Sequence, residues 1–339
     1  MPKVTIVQVI YNSKRFIKPV FDSVYAQTFT DFEFVAVISG NEDESKEYIL
    51  ANYPSVKVID PGYNIGFAKG HNLVFASSDS EFFQLVNPDL VLEPNYIEEM
   101  LKVFEDGKVG AATGKLYKFK DLRFKIEDFR ENKILDTTGV VISKSGRARD
   151  RGQHEVDKGQ YDAKAIVDAV SGAGAMYRRK ALLETRLQRI GKSENRISDQ
   201  SDQSDFSDSS EYFDEDFHSY WEDVDLTWRM ANKGWKNIFV PSAIGFHGRA
   251  AGSSKKGYSD VLGFIKHHSA LPERVRQLNF KNHIFMYIKN SPWFYPQFFV
   301  REFFMLIYIL MFEISTLKVL PEFFKQLPRI WKKRKLIYR

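Results

Sequence analysis

The feature that most constrains the fold is an alternation of short apolar segments with helix-like segments over the first 86 residues. Apolar runs at 4–10, 32–38, 56–59 and 82–86 have the length and composition of buried strands, and apolar residues recur at helical spacing in the segments between them. Strands that alternate with helices are typical of a parallel sheet with helices on its faces. Because ligands bind beyond the carboxyl ends of the strands in such sheets, we expect the functional site in the loops that follow them.

Two of these loops contain candidate ligand-binding residues. The loop at 60–72 is rich in Gly and Asn and leads into a predicted helix, so its backbone amides suit a bound anion, although an ordinary turn has the same composition. The strand at 82–86 is followed by Asn87-Pro88-Asp89, which places a carboxylate at the end of a strand. Mg²⁺ and Mn²⁺ bind such oxygen ligands, while Asp is also common in proline turns. Asp89 is therefore a candidate metal ligand.

A second candidate centre lies in the segment 214–248. Three carboxylates, Glu222, Asp223 and Asp225, begin an amphipathic run that ends at Lys233-Gly234, a helix stop signal. We predict a helix with these acids at its N-terminus, where the helix dipole favours negative charge. Asp223 and Asp225 are two positions apart and cannot share one helix face, so at most one or two of the acids point into a common cleft. A capped surface helix with a solvated first turn has the same pattern.

Composition limits the classes of protein and site that are possible. The 339 residues, 43% of them hydrophobic and 15% aromatic, suffice for one large or two modest globular domains. The absence of cysteine excludes disulfides, thiolate zinc sites and a cysteine nucleophile. The N-terminus begins directly with a strand pattern, so we expect no signal peptide.

The net charge of +5 is distributed unevenly along the chain. Residues 281–339 contain eleven Lys and Arg against three Asp and Glu, a net charge of +8, which leaves −3 for the remainder. This distribution argues against a nucleic-acid partner and favours contact of the C-terminal region with a membrane surface. The apolar run at 298–312 is too short to span a bilayer and suits a helix lying in the interface. A helical hairpin packed on the body of the protein is the alternative.

The chain is expected to divide into a globular domain at 1–252 and a helical region at 253–339. Within the first, residues 190–212 are dominated by Ser and Asp, with few apolar residues. Such a segment cannot bury enough surface to offset its ordering entropy. We therefore predict a disordered insertion at 190–212 in a surface loop.

Several motifs occur in an order and spacing that together are specific. They are Asn64-Ile-Gly-Phe-Ala-Lys-Gly-His-Asn72, Asn87-Pro-Asp89, Ser171-Gly-Ala-Gly174, Tyr220-Trp-Glu-Asp-Val-Asp-Leu226, Gly234-Trp235, Pro241 and Phe246-His247. In this arrangement the chain resembles the family 2 glycosyltransferases, and within them the rhamnosyltransferase-like branch, from Pro2 to about Pro292. The resemblance implies a GT-A fold, a Rossmann-like α/β domain with a mostly parallel central sheet flanked by helices, a nucleotide-binding half and an acceptor half.

The resemblance also implies roles for individual residues. Asp223 matches the catalytic base of the family, with Asp225 and Glu222 as rival candidates. Asp89 stands in the metal-binding motif, whose first acid is replaced here by Asn87, and His247 matches a late metal-ligand histidine. The residues expected around the donor are Asn12, Asn64, Gly66, Asn72, Asn87 and Asp89. Those expected around the acceptor are Gly172, Trp221, Glu222 and Asp225.

The implied reaction is transfer of a sugar from a nucleoside diphosphate to a hydroxyl of a glycan or lipid-linked acceptor, with inversion at the anomeric carbon. The expected cofactor is a divalent metal, Mn²⁺ or Mg²⁺, and a histidine ligand suits manganese better. A deoxythymidine-diphosphate rhamnose donor is expected first and a uridine-diphosphate sugar next. The expected location is cytoplasmic, peripheral on the inner face of the cell membrane.

One departure from the family pattern bears on the donor. The family usually has an acid after the second strand that contacts the nucleotide, whereas here Ser39-Gly40-Asn41 follows that strand and the first Asp is Asp43. Two other functions remain open. A nucleotidyltransferase also uses a parallel sheet and a metal carboxylate, although the loop after the first strand lacks the expected glycines. A membrane-associated scaffold that binds nucleotide sugars without turnover is the second.

Overall fold

A computed structural model describes residues 1–119, 133–190, 210–248 and 261–338. The N-terminal elements follow the predicted alternation of strands and helices. They are β1 (Val4–Ile10), α1 (Lys14–Tyr25), β2 (Phe32–Ile38), α2 (Ser45–Asn52), β3 (Lys57–Ile59), α3 (Gly66–Ser77) and β4 (Phe82–Leu85). β1 and β2 have the bounds that the sequence predicts, because all of β1 and most of β2 are buried and both segments are predominantly apolar.

The middle of the chain contains shorter strands and fewer helices. Its elements are β5 (Leu90–Leu92), α4 (Tyr96–Val103), β6 (Val109–Lys118), β7 (Leu135–Thr137), β8 (Val140–Ile142), β9 (Ala148–Asp150), β10 (Ala165–Ile166), β11 (Met176–Arg178), α5 (Arg179–Thr185), β12 (Leu187–Gln188), β13 (Ser210–Glu211), α6 (Glu222–Asn232) and β14 (Lys236–His247). The segment 134–142 forms two strands, because Gly139 has a φ of +101° and turns the chain between β7 and β8. The predicted acidic helix is α6, which ends at Lys233 and Gly234 as expected.

Ten of the strands form one sheet in the order β10-β14-β6-β11-β4-β1-β2-β3, with β5 paired to β14 and β7 to β6. β1 to β4 pair only in parallel with one another, as do β6 and β14, while the other pairings are antiparallel. The sheet is therefore mixed, which corrects the expectation of a mostly parallel one. Parallel neighbouring strands need crossover connections between them. The antiparallel strands are joined to the sheet through the turn-rich segments after β6. The arrangement is a GT-A-like α/β fold with helices on both sides of the sheet.

Apolar layers cover both faces of the sheet. On one face, Ile17 and Phe21 of α1 and Met100 of α4 pack against the strands. On the other face, Phe75 of α3 and Leu226 of α6 do the same. The carboxyl ends of β1, β2 and β4 therefore open at one edge between the two helical layers.

The C-terminal region consists of helices, several of which belong to the core. They are α7 (Val261–Ser269), α8 (Glu273–Asn290), α9 (Pro296–Phe312), a 3-10 helix (Ile314–Val319) and α10 (Leu320–Ile337). Phe285 of α8 and Ile330 of α10 share a buried cluster with Phe217 and Val224. The division at residue 252 stays a prediction, while apolar side chains from both parts form this common cluster.

Two buried lysines attach α8 and α10 to the segment before α6. Lys289 Nζ lies 2.5 Å from an oxygen of Asp214 and 2.8 Å from Asp225. Lys333 Nζ lies 2.5 Å from the other oxygen of Asp214. Burial alone would raise the pKa of Asp214, but the two lysines outweigh it and hold that pKa well below its ordinary value. The Asp214 carboxylate is therefore ionised and bridges both helices.

The basic C-terminal residues are thus partly neutralised within the molecule. Lys333 also contacts Glu211 at 2.5 Å and Asp216 at 3.0 Å, and Arg329 contacts Asp216 at 2.6 Å. Arg334 donates to the carbonyls of Ile288 and Ser291. The expectation that the basic residues from 329 onward face lipid headgroups is wrong for these three. Their side chains face acids and carbonyls of the same chain, as the packed-hairpin alternative requires.

The helix α9 differs from α8 and α10 because most of its apolar side chains are exposed. Phe298 and Ile309 are buried, whereas Phe303, Leu310 and Met311 are 62%, 53% and 68% exposed. Within the described residues, no single helix combines the length and apolarity that crossing a bilayer requires. One pair, Pro296–Phe312 with Ile314–Ile337, meets these requirements only jointly and is bent by 114°.

The ends of the predicted insertion are ordered. Leu187 pairs with Glu211 and Gln188 with Ser210 in the antiparallel ribbon β12–β13, and Tyr212 is buried. The prediction of disorder is therefore wrong for 210–212, where strand pairing and burial hold the chain. The rest of that prediction falls on 191–209, outside the described residues.

We predict that Lys333→Met destabilises the protein by about 3–5 kcal/mol, because it removes a counter-ion that three buried carboxylates share. Urea unfolding followed by circular dichroism would measure the loss. Lys332→Met, at the exposed neighbouring position, is the matched control and should change the unfolding free energy by less than about 0.5 kcal/mol. Equal stability of the two variants would contradict a structural role for the network.

Candidate active site

The loop after β3 is attached to the end of β2 through Ser39. The Ser39 hydroxyl donates to Asn64 Oδ1 at 2.9 Å and accepts from the amides of Ile65 and Gly66 at 3.1 and 3.2 Å. Gly66 has a φ of +78°, and a Cβ there would lie 2.4 Å from the ring of His218. Gly66 is thus required for the close approach of this loop to the turn before α6. Asn64 and Gly66 lie at the predicted edge of the sheet.

The loops after β1 and β2 are joined by acids. Asn12, with a φ of +45°, donates to Glu42 Oε2 at 2.9 Å and accepts from the Glu42 amide at 3.1 Å. Asp43 accepts from the Lys14 amide at 2.7 Å and from the Ser45 hydroxyl at 2.6 Å. Asp43, the first aspartate after β2, therefore holds the start of α1 in place.

Asn72 has a structural role that corrects its assignment to the donor pocket. Its side chain is buried, donates to the carbonyl of Phe213 at 2.8 Å and to Glu215 at 3.2 Å, and accepts from the amides of Tyr212 and Phe213. Both ends of the amide are used within the protein. Asn72 therefore fixes the chain that leads to the acidic turn and does not reach a ligand.

Asp89 and His247 meet where β5 pairs with β14. Asp89 Oδ1 lies 3.2 Å from His247 Nε2, and Asn87 Nδ2 lies 3.4 Å from the same nitrogen. On the other side of the ring, Nδ1 lies 2.9 Å from Oδ2 of Asp136, which is fully buried. Asp136 was not identified from the sequence, where its signal was a lone carboxylate between the apolar Leu135 and two threonines.

The two carboxylates determine the charge of the histidine. Burial alone would lower the pKa of His247, but the bonds to Asp136 and Asp89 raise it to about 9. Burial would likewise raise the pKa of Asp89, and the bond from His247 keeps it below its ordinary value. Without a metal, the imidazole is therefore protonated between two carboxylates.

These residues fit a divalent cation as two of its ligands. A carboxylate bonded to the far nitrogen of a histidine is the usual support of a metal ligand, and it directs His247 Nε2 toward Asp89. Across the described ranges, no three His, Asp or Glu side chains are arranged to hold a metal by themselves. Mg²⁺ and Mn²⁺ commonly take one or two protein ligands and complete their shell with phosphate oxygens and water.

Asp223 is held by two backbone amides at the start of α6. Its Oδ2 accepts from the amide of Gly172 at 2.6 Å, and its Oδ1 accepts from the amide of Val224 at 2.8 Å. A Cβ on Gly172 would lie 3.0 Å from the Asp223 side chain, so the turn at 171–174 can approach this closely only with glycine there. The carboxylate is half-buried and oriented by bonds to both oxygens.

The turn before α6 is strained and is supported by α8. His218, Tyr220 and Trp221 have φ values of +64°, +71° and +74°, which are unfavourable for residues with side chains. The side-chain amide of Asn282 donates to the carbonyls of Phe217, Ser219 and Tyr220, each at 2.9 Å. Asn282 was also not identified from the sequence, because nothing in a helical segment indicates its distant partner.

Asp89, His247 and Asp223 lie at one mouth of the sheet. The Asn87 amide donates to the Ala173 carbonyl at 2.8 Å, and the amide of the preceding Gly172 binds Asp223. The Ala68 amide donates to the His218 carbonyl at 3.1 Å, which joins the start of α3 to the turn before α6. Short runs of hydrogen bonds therefore connect the candidate metal ligands, the candidate base and the loop of Asn64.

Asp225 has different surroundings from Asp223, as their spacing in α6 predicts. Asp225 is fully buried and contacts Lys289 at 2.8 Å, Arg229 at 3.2 Å and Asn290 at 2.6 Å. The expectation that Asp225 binds the acceptor is therefore wrong, because its carboxylate points into the ion network on the opposite side of the helix from Asp223.

Glu222 and Trp221 remain beside the candidate base. Burial, and then the charge of Asp223, raise the pKa of Glu222 well above its ordinary value, which favours the neutral form of the group. Its Oε2 is buried and has no hydrogen-bond partner in the part of the chain that is described. Trp221 donates through Nε1 to Asn279 at 2.8 Å, and its ring meets His283 edge to face at 5.1 Å. Both residues remain candidates for acceptor contact.

Comparisons with known proteins identify the family of the chain. The family model described as glycosyl transferase family 2 matches residues 5–185. The glycosyltransferase GlyA of Streptococcus pneumoniae is 24% identical over 123 residues, 35% of this chain and 17% of that protein. The teichoic acid poly(glycerol phosphate) polymerase of Staphylococcus epidermidis is 26% identical over 147 residues, 40% and 20% respectively. The chain thus matches about a third or less of the length of these curated relatives.

Two solved structures are distantly similar. The mannosyltransferase PcManGT from Pyrobaculum calidifontis, in complex with GDP-Man and Mn²⁺, has a TM-score of 0.48 at 15% identity over 97% of this chain and 74% of that one. Staphylococcus aureus TarS 1–349, in complex with UDP, has a TM-score of 0.48 at 16% identity over 86% and 81%. The family match, by contrast, covers more than half of the chain and contains Asp89 and the 171–174 turn. The chain therefore belongs to glycosyl transferase family 2.

Proposed function

We propose that this protein is an inverting glycosyltransferase that moves a sugar from a nucleoside diphosphate to a hydroxyl of a glycan or lipid-linked acceptor. The observation that carries the proposal is the position of Asp223, whose carboxylate is bound to the Gly172 amide at the same mouth as Asp89 and His247. Direct displacement of the diphosphate by the acceptor hydroxyl requires a base and a diphosphate site at the same mouth.

In the proposed reaction Asp223 accepts the proton of the acceptor hydroxyl while that oxygen attacks the anomeric carbon. The bond from this carbon to the diphosphate oxygen breaks on the opposite side, which inverts the centre. The amides of Gly172 and Val224 keep the carboxylate oriented without neutralising it. Glu222, being neutral and buried beside Asp223, is suited to hydrogen bonding an acceptor hydroxyl and unsuited to act as the base.

Asp89 and His247 would hold a divalent cation, Mn²⁺ or Mg²⁺, which stabilises the charge that develops on the leaving diphosphate. Asp136 orients His247 through Nδ1, and Asn87 lies beside Nε2. Histidine ligation favours manganese of the two. Asn12, Asn64 and Gly66 line the edge where the nucleotide would lie.

The branch resemblance supports deoxythymidine-diphosphate rhamnose as the first donor to test and uridine-diphosphate sugars as the next. Asp43 is engaged with the Lys14 amide and Ser45, so we do not assign nucleotide recognition to this carboxylate. Release of the nucleoside diphosphate from a panel of nucleotide sugars, with and without Mn²⁺, tests the function directly. Pyrophosphate release would support a nucleotidyltransferase instead.

The exposed apolar side chains of α9 support a peripheral position on the inner face of the cell membrane. Phe303, Phe304, Leu310 and Met311 are each more than half exposed on a helix of 17 residues. An apolar helix surface of this kind suits burial at the boundary of headgroups and acyl chains. Contact of α9 with the membrane would place the active site near a lipid-linked acceptor on the cytoplasmic side.

Replacement of Asp223 by Asn is predicted to lower transfer by about 10²- to 10⁴-fold, because the amide cannot accept the proton. Donor binding, measured by titration calorimetry with the nucleotide sugar, should be unchanged. Glu222→Gln is the matched control, and it should retain far more activity because Glu222 is already neutral. Near wild-type transfer by Asp223→Asn together with loss in Glu222→Gln would reverse the two assignments.

Removal of the metal by a chelator is predicted to abolish transfer, and Mn²⁺ should restore it. Asp89→Ala should lose the stimulation by Mn²⁺ because the cation would keep only one protein ligand. Asp79→Ala, at an exposed acid paired with Arg179, controls for loss of a carboxylate and should respond to Mn²⁺ as the wild type does. Undiminished wild-type activity in chelator would exclude the proposed cation.

Phe303→Asp combined with Leu310→Asp is predicted to reduce binding to anionic phospholipid vesicles by about tenfold or more, because each apolar side chain loses its burial in lipid. Sedimentation with vesicles measures this. Leu50→Asp, on the exposed side of α2, should bind vesicles as the wild type does. Unchanged sedimentation of the α9 variant would contradict membrane contact through this helix.

A further inference from the structure

The turn at 171–174, whose Gly172 amide binds Asp223, is supported from the opposite face of the sheet. The carbonyl of Gly174 accepts a hydrogen bond from the hydroxyl of Tyr96 at 2.7 Å and one from the side-chain amide of Gln84 at 3.0 Å. A carbonyl oxygen has two lone pairs, so both of its acceptor positions are used. Tyr96 begins α4 and belongs to the apolar layer on that face, whereas α6 packs on the other face. Support for the turn therefore comes from the layer that does not contain the candidate base.

Tyr96 is fully buried, and its hydroxyl has both a donor and an acceptor partner. It donates to Gly174 and accepts from the amide of Gly114 in β6 at 3.2 Å. Burial raises the pKa of Tyr96 well above its ordinary value, so the hydroxyl keeps the proton that it donates. Because both partners are backbone groups, the hydroxyl fixes the Gly174 carbonyl relative to β6 and α4.

The contacts at the two ends of the turn are close. A Cβ on Gly174 would lie 2.8 Å from the Tyr96 hydroxyl oxygen and 2.9 Å from Leu90 Cδ2. At the other end, the Gly172 amide lies 2.6 Å from Asp223 Oδ2. A single residue separates these two contact points. A shift of the Gly174 carbonyl is therefore transmitted to the amide that binds the carboxylate.

Tyr96 also belongs to the segment that contains the candidate metal ligand. Asp89 directly precedes β5, which pairs with β14 at His247, and Tyr96 begins the helix that follows β5. At the start of this segment, the Asn87 amide donates to the Ala173 carbonyl at 2.8 Å. The segment 87–96 therefore binds the turn at two consecutive carbonyls. These bonds relate the position of the candidate base to that of the candidate metal ligands.

We propose that Tyr96 is a positioning residue for the transfer reaction, which holds the Asp223 carboxylate in place relative to Asp89 and His247 through the Gly174 carbonyl. The inference rests on the proposed glycosyl transfer, in which Asp223 is the base. A misplacement of about 1 Å caused by a distant change can lower a rate by about a hundredfold. Since Tyr96 is fully buried and contacts neither substrate in this arrangement, its hydroxyl acts on kcat and not on donor binding.

Tyr96→Phe keeps the ring and removes only the hydroxyl. The full-length protein is assayed with Mn²⁺ and the nucleotide sugar that gives the highest rate in the panel. We expect kcat to fall by about tenfold or more, with a donor KM within about twofold of the wild type. In the Asp223→Asn background the same change should lower the residual rate by less than about twofold, because residues that act through one group are not additive.

Tyr53→Phe is the matched control. Tyr53 packs against the same apolar layer at the end of α2, and its hydroxyl donates to Asp22 at 2.8 Å. This variant also loses a tyrosine hydroxyl and its hydrogen bond, so its thermal unfolding measures the structural cost. Its kcat should equal that of the wild type.

A second measurement does not depend on transfer. The glycine amides are labelled with ¹⁵N and recorded by NMR, and the Gly172 amide is identified as the resonance that shifts most in Asp223→Asn. We expect this resonance to shift in Tyr96→Phe and in Gln84→Met, which removes the other donor to the turn. It should stay in place in Tyr53→Phe. Gln84→Met also supplies the kcat test if thermal unfolding shows that Tyr96→Phe is not folded.

The outcomes distinguish this inference from the proposed function. Unchanged kcat in folded Tyr96→Phe, an equal loss in the Asp223→Asn background, or an unmoved Gly172 resonance overturns the positioning role even if sugar is transferred. An equal loss of kcat in Tyr53→Phe also overturns it, because the effect would then follow from stability. If the wild type turns over no nucleotide sugar, the proposed function fails, and the Gly172 resonance by itself decides whether Tyr96 positions Asp223.

Discussion

The structure depends on one buried carboxylate held by two lysines. Asp214 binds Lys289 of α8 through one oxygen and Lys333 of α10 through the other. Removing either lysine would take away one of the two counter-ions of this buried carboxylate, which is far more costly than loss of a surface pair. Because Lys289 also binds Asp225 in α6, the same network fixes the helix that carries the candidate base. The C-terminal helices therefore help to position the candidate base.

The three acids of the Glu222–Asp225 segment illustrate how one short sequence serves separate purposes. Asp225 anchors α6 in the ion network, Asp223 faces the Gly172 amide at the mouth of the sheet, and Glu222 is buried and neutral between them. The strained turn before them persists because Asn282 bonds three of its carbonyls. Strain of this kind is found where surrounding contacts over-determine the backbone. Here those contacts come from α8, more than 60 residues further along the chain.

Local patterns in the sequence were sufficient for β1 to β4 and for the first helices. β1 and β2 could be bounded by apolar runs alone, and the end of α6 by Lys233-Gly234. Partners could not be predicted, because Lys333 and Asp214 are 119 positions apart and either residue alone is typical of a surface. The same limit applies to Asp136 behind His247, to Asn72, and to the basic residues of α10. Strand order does carry long-range information, and it placed Asp89 beyond the end of a strand. The roles of Asp223 and His247 came from the family resemblance.

The short ribbon β12–β13 determines how changes in the segment between its strands affect the rest of the protein. Leu187 and Glu211 are cross-strand partners, so the two ends of the segment between them lie at adjacent points. The next residues, Tyr212 and Phe213, are clamped by the amide of Asn72. The closure entropy of a loop rises only with the logarithm of its length. Insertions and deletions between 191 and 209 should therefore accumulate in evolution with little effect on the geometry around Asp223, and this position suits the grafting of a foreign module onto the enzyme.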